Sequence, residues 1–257
     1  MNRRFFILLF CLVSGLVTAF GQSESDGSRT HWYVGVEAGV PFAANTFSSF
    51  GADKTRPGVD GAIFIGYRFN NVISLEPSAR WGMFRLSARQ CCVNANMWLD
   101  NEGNSYYAPV RGKTGANYSE LMSHVFMQQY GVKLNVNVLG LIPSTKDSRW
   151  TAEISPEVTT IGTTAKIKKI KGSDVLYSDD THWHLTVGGR LQGNYQLNKT
   201  VSLGAYTGIG FVMGRHFDGV PYDWHKTRVL WESGLRLTFS IPEAASRVGK
   251  LTKEARP

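Results

Sequence analysis

Eight segments of the chain place an apolar side chain at every second position, and this period constrains the fold more than any other feature. In the first segment, Trp32, Val34 and Val36 alternate with Gly35 and Glu37. A β-strand with one apolar and one polar face repeats every two residues, whereas an amphipathic helix repeats every 3.6 residues. The sequence therefore predicts an all-β protein over residues 32–241.

The predicted strands cover residues 32–40, 59–69, 73–83, 126–138, 150–158, 183–195, 201–213 and 229–240. These lengths are close to the roughly 9–11 residues that a tilted strand needs to cross a membrane. We therefore expect an eight-stranded antiparallel up-and-down transmembrane β-barrel. A soluble lipocalin is the alternative barrel, with an apolar lumen and a polar exterior.

The connections between the strands differ in length. Asn70-Asn71 and Asn198-Lys199 are tight turns, and the connection Leu139–Arg149 is of moderate length. The long loops are Pro41–Pro57, Cys91–His124, Lys168–His182 and Arg215–Thr227. Short turns at one end and long loops at the other are typical of outer-membrane barrels, whose short turns are periplasmic. An even strand number then puts both termini in the periplasm.

The longest loop contains a segment that is typical of a hairpin, around the turn Asn101-Glu102-Gly103-Asn104. Counting this hairpin would give ten strands instead of eight. Its aromatic residues either form an exposed binding surface or pack together over the barrel mouth: Trp98, Tyr106, Tyr107 and Tyr118.

The polar face of the predicted strands carries charges of both signs in nearly equal number. We expect an ion-pair network in the lumen, because a buried charge is costly unless it is paired. The predicted network consists of Glu37, Asp60, Glu76, Glu153, Glu157, Glu232, Arg68, Arg80, Lys133, Arg190 and Arg236. The alternative is a gated ion path lined by Glu76, Arg80, Arg190 and Arg236.

Aromatic residues on the apolar face cluster at both strand ends, as expected for the two water–lipid interfaces. The periplasmic belt is predicted to contain Trp32, Tyr67, Phe69, Trp150, Tyr195 and Phe239. The opposite belt is predicted to contain Trp81, Phe126, Trp183, Phe211 and Trp231. A lipocalin has no reason to arrange aromatic residues in this way.

The N-terminus has the features of a secretory signal peptide. Arg3 and Arg4 precede an apolar run from Phe5 to Phe20, and small residues follow at the expected cleavage site. We expect residues 1–21 to be removed, leaving a short N-terminal segment of residues 22–31. The alternative, a membrane anchor, would be short for a span.

The net charge indicates which class of partner to expect, and the two cysteines of the mature chain allow two chemical states. Removing residues 1–21 takes away Arg3 and Arg4 and no acidic residue, so the net charge falls from +8 to +6. Because the chain is expected to be exported, anionic lipid and lipopolysaccharide fit this charge better than nucleic acid does. Cys91 and Cys92 would either form a strained vicinal disulfide or remain thiols.

Candidate catalytic residues are few. Asp179, Asp180, His182 and His184 lie at one strand end, and the last long loop has His216, Asp218, Asp223 and His225, which could form a dyad or a metal site. No zinc-type spacing, phosphate-binding loop or nucleotide motif is present. We therefore expect no enzymatic activity, no cofactor and no metal.

Three segments carry a family resemblance: Trp32–Gly39, Ile73–Trp81 and Gly234–Ile241. They are similar to the small outer-membrane β-barrel family, including OmpA/OmpX-type barrels and the porin-like and PorT-like barrels of Bacteroidetes. The resemblance implies an outer-membrane location in a Gram-negative bacterium and insertion by the barrel-assembly machinery, which recognises the terminal strand. The family usually ends at this strand, whereas residues 242–257 continue here as an expected periplasmic tail.

The expected function is that of a monomeric outer-membrane protein with a largely plugged lumen. Its role would be structural, or would involve contacts of the long extracellular loops with a ligand that the sequence does not identify. A narrow porin for small or amphiphilic solutes is the first alternative. An enzyme acting on lipid or peptide is the second.

Overall fold

The structure is a computed structural model that describes residues 32–145, 148–172, 174–220 and 228–241. The predicted signal peptide, the segment 22–31 and the tail 242–257 lie outside the described residues, as do Asp223 and His225. Among the described residues, no helix is long and apolar enough to cross a membrane.

Eight long strands form a closed barrel. They are β1 (Trp32–Ala44), β3 (Val59–Arg68), β4 (Ile73–Ala88), β8 (Leu121–Asn137), β9 (Trp150–Lys169), β11 (His182–Gln196), β12 (Val201–Met213) and β13 (Val229–Ser240). Each strand pairs antiparallel with the next, and β1 pairs with both β3 and β13. The prediction of an eight-stranded antiparallel up-and-down barrel is confirmed.

Shorter elements lie at the long-loop end of the barrel. They are β2 (Phe47–Ser48), the helix α1 (Gln90–Asn94), β5 (Trp98–Asp100), β6 (Ser105–Tyr106), β7 (Gly115–Asn117) and β10 (Val175–Ser178). Strand β5 pairs with β6 and with β7, so the predicted hairpin belongs to a separate three-stranded sheet, which we call the loop sheet. The ten-strand alternative is therefore wrong, because these strands do not join the barrel wall.

Strand β1 continues to Ala44, four residues beyond its predicted end. Three other strands continue at least five residues further toward the long-loop end than the alternating pattern predicts. Strand β4 runs to Ala88, β8 begins at Leu121, and β9 runs to Lys169. The predicted ends were wrong because the polarity of the two faces changes within each strand. In β4, Phe84 and Leu86 are buried inside the barrel while Arg85 is exposed outside, so the apolar outer face ends at Met83 although the strand continues.

The two tight turns share one hydrogen-bonding motif. Asn70 Oδ1 accepts hydrogen bonds from the backbone N–H groups of Val72 and Ile73, both at 2.8 Å. Asn198 Oδ1 accepts two such bonds from Thr200 and Val201, also at 2.8 Å. An asparagine side chain that bonds to its own backbone in this way stabilises a turn, which explains why asparagine begins both connections.

Two prolines lie inside barrel strands without causing bulges. Pro77 in β4 pairs with Val132 on β8. On the other side, the pairing of β3 with β4 is interrupted at Pro77 and then continues in the same register. Pro156 in β9 pairs with Gly189 on β11, and the pairing of β8 with β9 is interrupted at Pro156 in the same way. Since proline has no N–H to donate, each proline interrupts pairing on one side only.

An apolar core fills the lumen at the long-loop end, and its barrel residues include Phe84, Leu86, Val125, Met127, Ile161 and Ile167. Loop residues complete this core, among them Phe47, Leu99, Tyr118, Phe217 and Val220. We call this cluster the apolar plug. Packing over the barrel mouth is one of the two roles predicted for Tyr118, whereas the inward-facing barrel residues of the plug were not predicted.

Candidate functional site

The middle of the lumen holds a network of ion pairs centred on Glu37 of β1. Its carboxylate pairs with Arg80 of β4, with Arg190 of β11 at 2.8 Å and with Lys133 of β8 at 3.2 Å. Arg236 of β13 approaches it at 3.7 Å. One carboxylate therefore contacts cations from four other strands, which places Glu37 at the centre of the barrel cross-section.

A second group of acids surrounds Arg80 and Arg190. Arg80 donates a hydrogen bond to Asp60 at 2.7 Å and lies 3.3 Å from Glu232. Arg190 lies 3.1 Å from Glu232 and 3.6 Å from Glu157. Each guanidinium therefore has at least three carboxylate partners, which compensates for its burial.

A third group lies nearer the short-turn end. Glu76 pairs with Lys133 at 2.6 Å and with Arg236 at 2.8 Å. The hydroxyl of Tyr33 donates to Glu76 at 3.1 Å, and the amide of Asn135 donates to it at 3.3 Å. Lys133 joins this group to Glu37, so the three groups form one continuous network.

Aromatic rings pack against the guanidinium groups and fill the remaining space. Arg190 lies over the ring of Tyr206 at 4.3 Å, and Arg236 lies over the ring of Phe64 at 4.2 Å. Arg80 also donates to the hydroxyl of Tyr206 at 2.9 Å. Such stacking is worth more when the cation is desolvated, as it is in this lumen.

The structure places all eleven predicted network residues on the inner face, but it does not join all of them. Ion pairs link Glu37, Asp60, Glu76, Glu157, Glu232, Arg80, Lys133, Arg190 and Arg236. Glu153 accepts a hydrogen bond from Gln192, which accepts one from Arg236. Arg68 lies over the ring of Tyr33 and donates to Ser240 at 3.4 Å.

The lumen therefore has three layers. A cavity of about 550 Å³ opens at the short-turn end and is lined in part by Arg68, Glu153 and Arg236. The charge network lies above this cavity, and the apolar plug lies above the network. Glu76, Arg80, Arg190 and Arg236, the residues of the alternative ion path, are at most 4% exposed.

The outer wall carries the predicted aromatic residues at both ends of an apolar band. At the short-turn end, the rings of Trp32 and Tyr67 lie 4.9 Å apart, as do those of Trp150 and Tyr195. At the long-loop end, Trp81, Tyr130 and Trp183 form a row with ring separations of 6.2 and 6.0 Å. Phe69, Phe126, Phe211, Trp231 and Phe239 are also exposed on this wall.

The longest loop is held together by Asp100, which is fully buried. Its carboxylate accepts hydrogen bonds from Lys113 Nζ at 2.9 Å and from the backbone of Asn104 at 2.8 Å and Glu102 at 3.0 Å. Burial by itself would raise the pKa of Asp100, but these hydrogen bonds lower the pKa to about 2. The sequence pattern does not reveal this role, because it shows Asp100 only as part of a hairpin.

The aromatic residues of this loop divide between the two predicted roles. Trp98 and Tyr118 are buried, and Tyr118 belongs to the apolar plug. Tyr106 is half-buried, and its hydroxyl donates to Asp100 at 3.3 Å. Tyr107 is 62% exposed, so it alone of the four presents most of its surface to solvent.

In the described part of the chain, Cys91 and Cys92 are not joined by the vicinal disulfide. Cys92 is buried in the apolar plug, and Cys91 packs against it. Burial raises the pKa of Cys92 to about 12, and the neighbouring Cys91 adds to this effect. Cys92 therefore acts as a small apolar residue.

The candidate catalytic residues separate into two groups. Asp218 is buried and structural, since its carboxylate accepts the backbone N–H of Phe47 at 2.7 Å and its carbonyl accepts Ser123 Oγ at 2.7 Å. Asp179, by contrast, lies 3.1 Å from His182 Nε2 and 3.3 Å from His216 Nδ1. The sequence did not link His216 to Asp179, because the two residues belong to different loops.

In comparisons with known proteins, the chain is similar in structure to several solved proteins. No protein-family model and no curated protein matches the sequence. Neisserial surface protein A (NspA) is 12% identical, with a TM-score of 0.46 over 84% of this chain and 100% of that chain. Ail, the attachment invasion locus protein of Yersinia pestis, is 8% identical, with a TM-score of 0.41 over 82% of this chain and 100% of that chain.

A major outer membrane protein from Thermus thermophilus is 11% identical, with a TM-score of 0.42 over 81% of this chain and 99% of that chain. At these identities the likeness concerns the fold. The strand pairing, the closure between β1 and β13 and the end-to-end difference in loop length all come from this chain's own structure. In fold, the chain is a small eight-stranded antiparallel β-barrel similar to those of outer-membrane proteins.

Proposed function

We propose that the chain is an integral protein of a Gram-negative outer membrane, with a closed lumen and a structural or surface-interaction role. One observation carries the proposal, namely that the polarity of both barrel faces reverses along the same strands. Where the interior is charged, the outer face is apolar. Toward the long-loop end, where the interior is apolar, the outer face is polar. In β4, Trp81 and Met83 are exposed outside the charge network, whereas Arg85 is exposed outside the apolar plug. A soluble barrel gains nothing from an apolar outer band, whereas lipid requires one.

The height of the apolar band supports this location. In β4 the band extends from Leu75 to Met83 on the outer face. At roughly 3.3 Å per residue the segment is about 26 Å long. A strand tilt of roughly 40° reduces this to about 20 Å along the barrel axis, close to the band of about 25 Å in outer-membrane barrels.

The orientation follows from the connections. The tight turns at Asn70 and Asn198 lie at the same end as the start of β1 and the end of β13. We propose that this end is periplasmic and that the apolar plug and loop sheet face the outside. Lipid A, the anionic lipid of the outer leaflet, would then surround the long-loop end.

We propose a non-enzymatic role for the barrel. The burial of Asp218 supports this, because its carboxylate accepts the backbone N–H of Phe47 and is shielded from a substrate. An enzyme acting on lipid or peptide is the less favoured alternative.

Single-channel conductance of the refolded protein in a planar bilayer tests the closed lumen. We expect no resolvable current, because both the charge network and the apolar plug block the path. A steady current would contradict the closed lumen, and a current altered by Arg80→Ala or Glu76→Ala would identify the network as its path. Protein denatured by boiling before addition to the bilayer is the control.

A narrow channel is the second candidate function. The cavity of about 550 Å³ at the short-turn end favours it, since this cavity already forms a polar vestibule on one side of the network. Solutes would then have to displace the network and the plug. The conductance measurement distinguishes the two functions.

We also propose that the outer wall binds lipopolysaccharide through a row of basic residues above the apolar band. Arg85 on β4 lies opposite His124 on β8, and His124 lies opposite Lys166 on β9. The exposed cations Arg85 and Lys166 face outward on either side of His124, where lipid phosphates would surround the barrel, and cations near such phosphates are favourable.

The test compares the lipopolysaccharide that remains bound to purified variants, measured by native mass spectrometry. We expect Arg85→Glu/Lys166→Glu to retain several-fold less than the wild type. Lys54→Glu, in an exposed loop, is the matched control and should retain the wild-type amount. Equal retention by the double variant would overturn the proposal.

A further inference from the structure

Asp179, His182 and His216 converge at the long-loop end, outside the lumen network. The carboxylate of Asp179 reaches one histidine with each oxygen, at 3.1 Å to His182 Nε2 and 3.3 Å to His216 Nδ1. The two imidazole rings stack with centroids 4.5 Å apart. The three potential ligand atoms all lie within 4.8 Å of one another.

The surrounding backbone holds the three side chains in place. The N–H of Asp179 donates to the carbonyl of Ala165 on β9 at 2.9 Å, and the hydroxyl of Tyr177 donates to Asp179 Oδ1 at 3.2 Å. His182 is the first residue of β11, so a barrel strand fixes its position. A ligand carboxylate with its own hydrogen-bond donor is typical of metal sites in which the surroundings orient the ligands.

The backbone conformation at His216 provides an independent indication of function. Its φ is +67°, in the left-handed region that residues other than glycine seldom adopt. Such conformations cost free energy and cluster at functional sites. Here the conformation directs the imidazole toward Asp179, which lies on a different loop.

The spacing and the chemistry of the three ligands fit one kind of ion. In a tetrahedral zinc site with bonds of about 2.0–2.1 Å, neighbouring ligand atoms are about 3.3 Å apart. Each histidine nitrogen lies close to this distance from one of the two Asp179 oxygens, and one ligand atom from each of the three residues lies within 4.8 Å of the others. Imidazole nitrogens favour late transition metals over Mg²⁺ or Ca²⁺, and three protein ligands leave a position for water.

We propose that Asp179, His182 and His216 bind a divalent late transition-metal ion, Zn²⁺ in the first instance. The ion replaces the hydrogen bonds that now link the three side chains. The proposal does not depend on the membrane location or on the closed lumen. Bound metal would clamp the connection between β10 and β11 to the loop that follows β12.

Isothermal titration of metal-stripped protein with Zn²⁺ tests the site, using protein purified without a histidine tag and refolded in detergent. We expect one equivalent to bind. His182→Ala, His216→Ala and Asp179→Asn should each weaken binding at least about tenfold. Asp174→Asn removes an exposed carboxylate outside the site and is the matched control. Absent binding, or binding unchanged in all three variants, overturns the site.

Trypsin digestion tests the clamp separately. Arg215 is exposed and immediately precedes His216, so metal binding should slow cleavage after Arg215 several-fold. The protection should disappear in His182→Ala, which leaves the cleaved bond unchanged. A cleavage rate that Zn²⁺ does not alter in the wild type overturns the clamp. Altered mobility of unboiled protein on gels verifies that each variant is folded.

Discussion

At the scale of single residues, Glu37 shows how an isolated charge becomes tolerable inside a barrel. One carboxylate shares its charge among Arg80, Lys133 and Arg190, and Arg236 lies close by. Removing one member of a buried network leaves its partners with uncompensated charge, which costs more than the pair contributed. The network is therefore more sensitive to the loss of its centre than to changes at its edge.

Glu37→Gln should destabilise the folded barrel by about 3–5 kcal/mol, because four buried cations lose their shared partner. Urea unfolding in lipid vesicles measures the change in the free energy of unfolding. Glu102→Gln, at an exposed loop position, is the control and should change it by less than about 0.5 kcal/mol. Equal effects of the two substitutions would mean that the network contributes little to stability.

At the scale of elements, the strands β4, β8 and β9 each combine two environments. Their inner face changes from charged residues to apolar ones, as in β9, where Glu157 is followed by Ile161 and Ile167. The outer face changes in the opposite sense, from Val158 to Lys166. Strands of this length therefore serve both as barrel wall and as walls of a small apolar core that the loops complete.

The loop sheet β5–β7 should open in acid. The pKa of Asp100 is about 2, below about 3.9 for an unperturbed aspartate, so the ionised form is favoured in the folded loop. Its contribution to stability is present above about pH 4 and is lost as the pH falls through 2. Pepsin should therefore cut within residues 98–117 near pH 2 but not at pH 4.

The variant Asp100→Asn checks the origin of this pH dependence. It should be cut at both pH values, because the amide cannot replace the charge that Lys113 contacts. Asp174→Asn, an exposed aspartate outside the loop sheet, should behave like the wild type. Wild-type cleavage that is equal at pH 2 and pH 4 would contradict the assignment to Asp100.

At the scale of the whole molecule, closure of the barrel supplies hydrogen-bond partners for the backbone of every strand. The apolar band contacts the medium around the barrel. Every barrel strand has a hydrogen-bonded neighbour on both sides, which is the condition for placing strands in lipid. The outward-facing apolar residues are numerous, and Leu235 near the middle of β13 is 61% exposed. In water such exposure would favour aggregation, whereas in lipid it stabilises the barrel.

Leu235→Arg distinguishes the two surroundings. In a membrane it should lower the free energy of unfolding by about 2–4 kcal/mol, since a charged residue near the bilayer midplane is costly. In a soluble barrel the same exposed position would tolerate arginine. Unfolding measurements in vesicles give the comparison, with Ser178→Arg on the exposed strand β10 as a control that should be neutral. A neutral Leu235→Arg would contradict the membrane proposal.

The barrel could be predicted from the sequence alone, because the two-residue period of a strand does not depend on which strand pairs with it, and because eight strands of this length are enough to form a barrel. Glu37 and Arg236 could be assigned to the lumen for the same reason, since neighbouring positions in a strand face opposite sides. The pairing of these residues depended on which strands adjoin and in what register. Nothing in the sequence pattern specifies Glu37 as the centre of the network.

The contacts in the upper lumen and at the loop sites arise only when the chain folds. Phe217 and Leu86 are 131 positions apart in the chain and share one apolar plug only because a loop folds into the barrel mouth. His216 approaches Asp179 for a similar reason, because β11 and β12 bring two loops to the same rim. The local sequence determines on which face of a strand a side chain lies. Its partners across the lumen depend on closure of the barrel, which requires all of the barrel strands.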